Sequence, residues 1–390
     1  MRICHFTSTF LPKIGGAEFA IHYLAENLSR LKQEITVLCP IPIKKKYITN
    51  YKIRKIWQLP HFSSILGKGY GSAKLSNYDV LTELSYSVNL LFKNLTKNFN
   101  LIHAHFLYPC GFVSTQIKKI SKIPIVCTIH GADLQIIPEL NYGIRLNQKI
   151  NAKIMKAIEK IDALISLNPS IKKELIKCGA DKRKIFEIAN GVDIRKFVYA
   201  PEIDIKKKYQ IKETKKIILS IGRNHPVKGY VNFLRVLPEI LNENNDFIYI
   251  IIGRDSTNLL PLVRKLGIHN NVRLFEGIFG AELINFYRKA DIFLSPSLIE
   301  GLALVYLEAL AAGLPIIATN LPAISNVVIN EKNGLTVPTG NYSEFIEPIL
   351  KLLTDEKKRE FMGNNSRKLS ENYDWKIIAK KHLQLYQRLK

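Results

Sequence analysis

Short apolar runs alternate with amphipathic segments along almost the whole chain of 390 residues. Arg2–Thr7 predicts a strand, Gly16–Leu31 an amphipathic helix, and Ile35–Cys39 the next strand. Strands that are separated by helices indicate parallel sheets with right-handed crossovers, so the chain is predicted to be α/β. Further strands are predicted at Leu101–Ala104, Ile123–Ile129, Ala163–Ser166, Ile185–Ile188, Lys216–Ile221, Phe247–Ile252, Val272–Phe275, Ile292–Ser295 and Pro315–Ala318.

The alternation pauses at Asp193–Glu213, which is charged and has little apolar periodicity. At roughly 100–200 residues per domain, the chain length suggests two domains. We expect a linker near residue 200, with one doubly wound parallel sheet in residues 1–200 and another in residues 201–374. Ligands of such sheets bind beyond the carboxyl ends of the strands, so the residues that follow strands are the candidates for a site.

The formal net charge is +24, and residues 1–200 carry +17 of it. A basic and partly aromatic segment contributes to this excess: Lys44, Lys45, Lys46, Tyr47, Tyr51, Lys52, Arg54, Lys55 and Trp57, with Phe62 following it. Such a segment suits anionic lipid headgroups or a phosphorylated acceptor. Nucleic acid binding and a merely solvated face are the alternatives.

Cellular location is indicated by what the sequence lacks. Neither a secretory signal nor a run of about 18 apolar residues is visible. The five cysteines are scattered and never spaced as CxxC, which is typical of reduced core residues. We expect a cytoplasmic protein. The charge of the basic segment also suggests peripheral contact with the inner face of the plasma membrane.

Two glutamates, Glu300 and Glu308, flank a helix that is predicted to begin near Leu302. A helix start offers unpaired N–H groups and a positive dipole end, which suit a diphosphate or a sugar hydroxyl. Glu300 can accept hydrogen bonds from sugar hydroxyls, and Glu308 can bind two vicinal hydroxyls, as in a ribose. A helix cap and a surface position are the structural alternatives, but the apolar flanks of Glu308 favour a partly buried, paired carboxylate.

Two cations follow the first predicted strand of the second domain, in Gly222-Arg223 and Lys228-Gly229. Both side chains can reach one place beyond the strand end, where they would neutralise a diphosphate leaving group. The spacing by itself is weakly specific, because many loops contain arginine and lysine.

In the first half, Gly15 and Gly16 join the first strand to the first helix, where backbone can approach a ligand closely. His130 follows a predicted strand and precedes Gly131, a position that favours ligand contact. His103-Ala104-His105 lacks neighbouring carboxylate or cysteine ligands, so packing at a strand end is favoured over a metal site.

In their order and spacing, these motifs resemble glycosyltransferase family 4, the retaining group with the GT-B fold. The resemblance spans nearly the whole chain. Its pieces are Gly15-Gly16, His130-Gly131-Ala132-Asp133, Asn190-Gly191-Val192-Asp193 with Phe197, Gly222-Arg223, Lys228-Gly229, Ala290-Asp291, Glu300 to Glu308 and Asn333-Gly334-Leu335.

The resemblance implies two Rossmann-like domains facing a cleft, with a helix over residues 375–390 that returns to the first domain. It also implies that Arg223 and Lys228 bind the donor diphosphate, that Glu308 binds the ribose, and that Glu300 positions the donor sugar. His130 would contact the sugar at the reaction centre. The implied substrate-binding set is completed by Gly15, Gly16, Asp133, Gly301, Leu302, Ala303, Leu304 and Val305.

The implied activity is a retaining transfer of a hexose from a UDP- or GDP-sugar to a hydroxyl of a glycan or lipid-linked acceptor. Cell-surface polysaccharide or glycolipid synthesis is the expected setting, and no metal or other cofactor is required. The alternatives are a nucleotide-sugar epimerase of related fold, a non-catalytic sugar-nucleotide-binding protein, and a basic nucleic-acid-binding protein. The last is disfavoured because no recognition motif is present.

Overall fold

The structure is a computed structural model that describes residues 1–13, 15–40, 49–57 and 80–390, without the side chains of Val80 and Lys119. The chain divides into an N-terminal unit, Met1–Asn190 with Trp375–Lys390, and a C-terminal unit, Gly191–Asp374. Lys44, Lys45, Lys46 and Tyr47 of the basic segment, and Phe62 after it, lie outside the described residues.

The N-terminal unit contains a parallel seven-stranded sheet with the order β3-β2-β1-β4-β5-β6-β7. Its strands are β1 Arg2–Phe6, β2 Glu34–Cys39, β3 Lys52–Lys55, β4 Leu101–His105, β5 Ile125–Thr128, β6 Ala163–Ser166 and β7 Ile185–Glu187. Its helices are α1 Gly16–Arg30, α2 Val80–Lys97, α3 Phe112–Ser121, α4 Gln148–Lys160 and α5 Pro169–Lys177, and α14 Trp375–Arg388 belongs to this unit as well.

The C-terminal unit contains a parallel six-stranded sheet with the order β10-β9-β8-β11-β12-β13. Its strands are β8 Lys216–Ile221, β9 Phe247–Ile252, β10 Val272–Phe275, β11 Ile292–Ser295, β12 Ile316–Thr319 and β13 Gly334–Val337. Its helices are α6 Ile194–Tyr199, α7 Ile205–Lys208, α8 Tyr230–Glu243, α9 Leu260–Lys265, α10 Gly280–Lys289, α11 Leu304–Ala312, α12 Ile346–Thr354 and α13 Glu356–Ser370.

The prediction of two Rossmann-like parallel sheets is confirmed. Central strands such as β9 are buried along their whole length, which is why they appear in the sequence as unbroken apolar runs. The strand order reverses between β1 and β4 in one sheet and between β8 and β11 in the other. Ligands of doubly wound sheets bind beyond the strand ends at such reversals.

The structure differs from the sequence-based predictions at several places. No strand was predicted in the basic segment after β2, but it contains the edge strand β3, which is mostly polar and therefore has no apolar run. The segment 193–213 has little apolar periodicity, but it contains the short helices α6 and α7. The guanidinium of Arg288 donates to the carbonyl oxygens of Phe197 and Ala200, both at 2.9 Å, so the end of α6 is held by a residue distant in sequence.

The two units meet along the chain at Asn190, earlier than the linker expected near residue 200. The backbone N–H of Val192 donates to the carbonyl of Tyr373 at 2.8 Å, so the chain enters and leaves the C-terminal unit at one place. The strand β13 was also not predicted, because Gly334 interrupts the apolar pattern at its start.

Helix α14 packs against the N-terminal unit through aromatic and histidine side chains. Trp375 lies 6.0 Å from Tyr23 between ring centroids, and the Tyr386 hydroxyl lies 2.6 Å from Nδ1 of His103. His103 stacks on His105 at 4.3 Å between centroids and lies opposite His5 in the pairing of β1 with β4. A histidine cluster, defined as His5, His103, His105, His130 and His382, therefore lies in and beside the core of this unit.

Burial should make the N-terminal unit sensitive to acid. It lowers the pKa of His5 to about 3 and that of His382 to about 4, from an ordinary value of 6.5. Between these values the unfolded chain binds more protons than the folded one, so stability increases with pH. We predict that the free energy of unfolding falls as the pH decreases below 6.5, by about 1.4 kcal/mol per pH unit for each such histidine. Asp133 acts in the opposite direction between 3.8 and about 6, because burial raises its pKa.

Urea unfolding followed by tryptophan fluorescence measures this, because the chain has two tryptophans and both Trp57 and Trp375 lie in the N-terminal unit. The variant His382→Phe should reduce the dependence on pH, whereas the exposed His269 replaced by glutamine should not change it. Equal unfolding free energies at pH 6.5 and pH 5 would contradict the prediction.

Candidate functional site

A tight loop after β8 positions Lys228. The 3-10 turn Pro226–Lys228 ends at Gly229, whose φ is +70°. A side chain at Gly229 would also collide with the carbonyl oxygen of Pro296, in the loop after β11. Glycine is required here both for the left-handed backbone and for the close approach of the two loops. Lys228 is therefore directed by a rigid turn at the carboxyl end of the sheet.

The loop after β11 is fixed to that turn by backbone. The N–H of Leu298 donates to the carbonyl of Val227 at 2.8 Å, one residue before Lys228. Two residues beyond Leu298, the carboxylate Oε1 of Glu300 lies 2.6 Å from Nζ of Lys228. The structure thus joins two candidate residues that are far apart in sequence.

The Lys228–Glu300 pair is largely removed from solvent. The side chain of Glu300 is 5% exposed and that of Lys228 is 19% exposed. Charges at such depth persist only when they are paired, because each ion loses hydration on burial. An ammonium carries three N–H donors, so Lys228 can keep its bond to Glu300 and still donate to another anion.

Helix α11 begins directly after this pair. Its first residue is Leu304, slightly later than the start predicted near Leu302, because Leu302 adopts a φ of +67°. The N-cap Ala303 has no side-chain acceptor for the first N–H groups of the helix. These groups and the positive end of the helix dipole suit an anionic ligand. Gly301, Leu302, Ala303, Leu304 and Val305 therefore form the loop and first turn around that helix start.

Arg223 follows β8 and is half-buried. Burial has the largest effect on the pKa of His225 and lowers it. The positive charges of Arg223 and Lys228 lower it further. Both cations are thus close enough to His225 to act on it. The convergence of both side chains on one place beyond β8 stays a prediction.

Glu308 lies half-buried on α11 and has a specific partner. The hydroxyl of Tyr287, on α10, donates to Oε2 of Glu308 at 2.7 Å. Burial raises the pKa of this carboxyl, while the bond from Tyr287 and the charge of Lys196 oppose the increase. The apolar flanks of Glu308 predicted a paired, partly buried carboxylate, and in the structure its partner is Tyr287. The identity of this partner could not be predicted from the sequence.

In the N-terminal unit, Gly15 is the N-cap of α1 and Gly16 is its first residue. A side chain at Gly15 would collide with the carboxylate of Glu18, whereas the space beside Gly16 is open. Glu18 is 6% exposed and accepts a hydrogen bond from the hydroxyl of Thr9. The burial of Glu18 was not predicted from the sequence, although its place in the first turn of a helix, directly after a glycine pair, indicates a carboxylate close to the strand end.

His130 follows β5 and is half-buried. Its Nε2 lies 3.1 Å from Nδ1 of His105, and burial lowers its pKa to about 3. The backbone N–H of His130 donates to Oδ1 of Asp133 at 3.0 Å, and that of Leu107 donates to Oδ2 at 2.9 Å. The loop that carries His130 is therefore held by a carboxylate beneath it.

Asp133 was expected to contact substrate, and the structure does not support direct contact. Its side chain is fully buried and both of its oxygens accept backbone hydrogen bonds. Burial raises its pKa to about 6, although several backbone hydrogen bonds oppose the increase. Asp133 instead braces the chain around His130. The sequence could not show this, because the loop that carries Leu107 is distant from Asp133 along the chain.

His103 and His105 pack at the end of β4 and are almost completely buried, as expected. The structure also shows that His5 joins them, with one nitrogen of each ring within 4.8 Å of the others. His5 and His382 were not predicted to join this cluster, because nothing in the sequence near either residue indicates it.

Family models match both halves of the chain. Residues 14–196 match the model for Glycosyltransferase Family 4, and residues 201–369 match that for Glycosyl transferases group 1. Two relatives align with nearly the whole chain. An uncharacterized glycosyltransferase of Methanocaldococcus jannaschii is 26% identical over 99% of this chain and 98% of its own. The N-acetyl-alpha-D-glucosaminyl L-malate synthase of Bacillus anthracis is 25% identical over 92% and 90%.

Solved structures share the fold. Sucrose-phosphate synthase from Thermosynechococcus elongatus superposes with a TM-score of 0.82 at 19% identity, over 100% of this chain and 98% of that one. Anabaena HepE in complex with UDP-glucose gives 0.81 at 16% identity, over 100% of both chains. The sequence motifs, the two sheets and the two family matches lead to one assignment: the chain belongs to the family 4, group 1 glycosyltransferases.

Proposed function

We propose that the protein is a retaining enzyme that transfers a hexose from a nucleoside-diphosphate sugar to a hydroxyl of a glycan or lipid-linked acceptor. The observation that carries this proposal is the buried Lys228–Glu300 pair beside the uncapped start of α11. A preorganised cation and the N–H groups of a helix start stabilise the charge that develops on a departing diphosphate.

The donor is proposed to bind to the C-terminal unit. Lys228, Arg223 and the first turn of α11 would hold the diphosphate, and Glu308 would accept hydrogen bonds from the ribose hydroxyls. Glu300, which already orients Lys228, would accept a hydrogen bond from a hydroxyl of the sugar. His130, in the N-terminal unit, is proposed to contact the sugar. UDP-hexose is the proposed donor, because HepE, which shares the fold, was solved with UDP-glucose.

In the proposed reaction the bond from the anomeric carbon to the diphosphate oxygen breaks, and the acceptor oxygen bonds to the same face of that carbon. The leaving phosphate takes the acceptor proton, so no separate protein base is needed. Glu300 is committed to an ion pair with Lys228, which favours a binding role over covalent attack. We propose that no metal is required, since Arg223 and Lys228 supply positive charge at the diphosphate.

An epimerase of related fold remains the second candidate within enzymes, but the family matches favour transfer. Product analysis separates the two reactions. A transferase forms a glycoside only when acceptor is present, whereas an epimerase changes the sugar nucleotide without one.

Replacing Lys228 by glutamine should lower the turnover number about 10²-fold, the usual loss when one transition-state donor is removed. Lys208→Gln is the matched control, because Lys208 also pairs with a glutamate, Glu282, but at the surface of the same unit. Turnover is measured as release of nucleoside diphosphate. A folded Lys228→Gln protein with turnover similar to that of the Lys208→Gln protein would contradict the proposal.

Replacing Glu308 by glutamine should weaken UDP binding about tenfold or more, because a charge-assisted hydrogen bond to the ribose is lost. The same substitution should have little effect on binding of 2′,3′-dideoxy-UDP, which lacks the two hydroxyls. Titration calorimetry measures both affinities, with the exposed Glu360 replaced by glutamine as control. An equal loss for both nucleotides would remove the ribose role.

Contact with an anionic membrane is proposed for the N-terminal unit. Helix α2 exposes an apolar stripe at helical spacing, formed by Leu81, Leu84, Val88, Phe92 and Leu95. Trp57 is also exposed, and its backbone N–H and carbonyl both bond to Asn89 of the same helix. Lys52, Arg54 and Lys55 of β3 are exposed as well. An apolar face beside basic residues is typical of helices that lie in a membrane interface. Among the described residues, no helix is long and apolar enough to cross a bilayer.

We predict that Leu84→Ser combined with Phe92→Ser reduces binding to vesicles containing anionic lipid several-fold, because apolar area is lost from the interface. Phe361→Ser, at another exposed phenylalanine, should not change binding. Replacing Lys44, Lys45 and Lys46 by serine should also weaken vesicle binding, without abolishing hydrolysis of the sugar nucleotide. Vesicle co-sedimentation tests both variants, and unchanged binding by both would remove the membrane proposal.

A further inference from the structure

Three members of the histidine cluster form a chain of hydrogen bonds that ends at His130. Nδ1 of His5 lies 3.0 Å from Nε2 of His105, and Nδ1 of His105 lies 3.1 Å from Nε2 of His130. His5 and His105 are almost completely buried, whereas His130 is half-buried. The chain therefore runs from the core of the N-terminal unit to a residue that we assign to the ligand.

The number of protons in the chain is set by burial. Burial lowers the pKa of His5 and His130 to about 3 and that of His105 well below 6.5. Each ring is therefore neutral near pH 7 and carries one proton, on either Nδ1 or Nε2. Two of the three protons occupy the two hydrogen bonds. The third must lie at one end, on Nε2 of His5 or on Nδ1 of His130.

The buried end of the chain decides between these two arrangements. Nε2 of His5 is inaccessible to solvent and has no hydrogen-bond partner among the residues that the structure describes. A proton there would be a buried N–H without an acceptor, which is rarer in proteins than a buried acceptor without a donor. At the other end, Nδ1 of His130 belongs to a half-buried ring that a ligand or water can reach. The arrangement with the third proton on His130 is therefore favoured.

A metal ion would be a different use of the same rings, since His5, His103 and His105 each offer a nitrogen within 4.8 Å of the others. The two nitrogens of His103 already lie 2.6 Å from the Tyr386 hydroxyl and 2.7 Å from the Thr128 hydroxyl. Both nitrogens of His105 are bonded within the chain. Binding of a metal would break several of these bonds, so the observed geometry favours the hydrogen-bonded chain.

We propose that the His5–His105–His130 chain fixes His130 as an Nδ1–H donor toward an oxygen atom of the ligand, with His105 and His5 as positioning residues. The identity of the ligand rests on the proposed function, whereas the tautomer does not. A neutral donor stabilises a hydroxyl or phosphate oxygen without removing a proton from it. This role is consistent with a reaction in which the leaving phosphate deprotonates the acceptor.

The tautomers are measured directly by long-range proton–nitrogen correlation NMR on the full chain with ¹⁵N-labelled histidine. We expect His5, His105 and His130 all to carry their proton on Nδ1, in the free protein at pH 7. An unconstrained neutral imidazole in water favours Nε2–H, so this pattern would not arise by default. Protonation of His130 on Nε2 in the wild-type protein would overturn the proposal.

Two substitutions at position 105 test the positioning role. His105→Phe removes the group that faces Nε2 of His130, so His130 should lose its fixed Nδ1–H signature and turnover should fall about tenfold, as for one lost hydrogen bond. His105→Gln offers an amide N–H to the same nitrogen and should retain the tautomer and most of the turnover. An unchanged His130 tautomer in His105→Phe would contradict the role of His105.

His382→Phe is the matched control. His382 lies in the same cluster and is equally buried, but its Nδ1 bonds to the backbone carbonyl of Ile378 and it is not part of the chain. It should leave the His130 tautomer unchanged, and loss of the tautomer in this variant would show that packing alone controls it and would overturn the proposal.

The tautomer and the proposed function can fail separately. If the protein shows the Nδ1–H signals but transfers no sugar from any nucleotide donor, the hydrogen-bonded histidine chain is supported and the proposed function is wrong. If the protein transfers sugar efficiently but His130 is protonated on Nε2, the proposed function is supported and the proposed role of the histidine chain is wrong.

Discussion

Parallel strand pairing is the constraint on which the rest of the structure depends. Because all strands of a sheet point the same way, their carboxyl ends lie along one edge, and the loops that follow them are brought together there. In the C-terminal unit the strand order reverses between β8 and β11, and the loops after these two strands carry Lys228 and Glu300. In the N-terminal unit β1, β4 and β5 are neighbours, which aligns His5, His105 and His130.

Two sets of buried ionisable groups differ in charge, since the pair in the C-terminal unit is charged and the histidines of the N-terminal unit are neutral. In the C-terminal unit, Lys228 and Glu300 stay as a pair of ions at 2.6 Å. In the N-terminal unit, burial lowers the histidine pKa values, so the rings stay neutral and share protons with each other. A pair of ions can bind and orient a charged diphosphate, whereas neutral rings can direct a single hydrogen bond.

Much of the fold could be predicted because buried parallel strands appear as unbroken apolar runs, as in β8 and β9. The strand β3 could not, because an edge strand that is mostly polar has no such pattern. Candidate residues after strands were predictable by position, including Arg223, Lys228 and Glu300. Their partners were not, because the bond from Tyr287 to Glu308 depends on how α10 packs against α11. The brace at Asp133 and the histidine cluster were missed for the same reason, since both join residues that are distant along the chain.

We propose that the start of α11, with Lys228 beside it, holds the diphosphate of a sugar nucleotide. The most direct measurement is a crystal structure of the protein with bound UDP. We predict diphosphate oxygens within hydrogen-bond distance of Nζ of Lys228 and of the backbone N–H groups in the first turn of α11, with the ribose hydroxyls at Glu308. A diphosphate bound elsewhere, with Lys228 still paired only to Glu300, would contradict it.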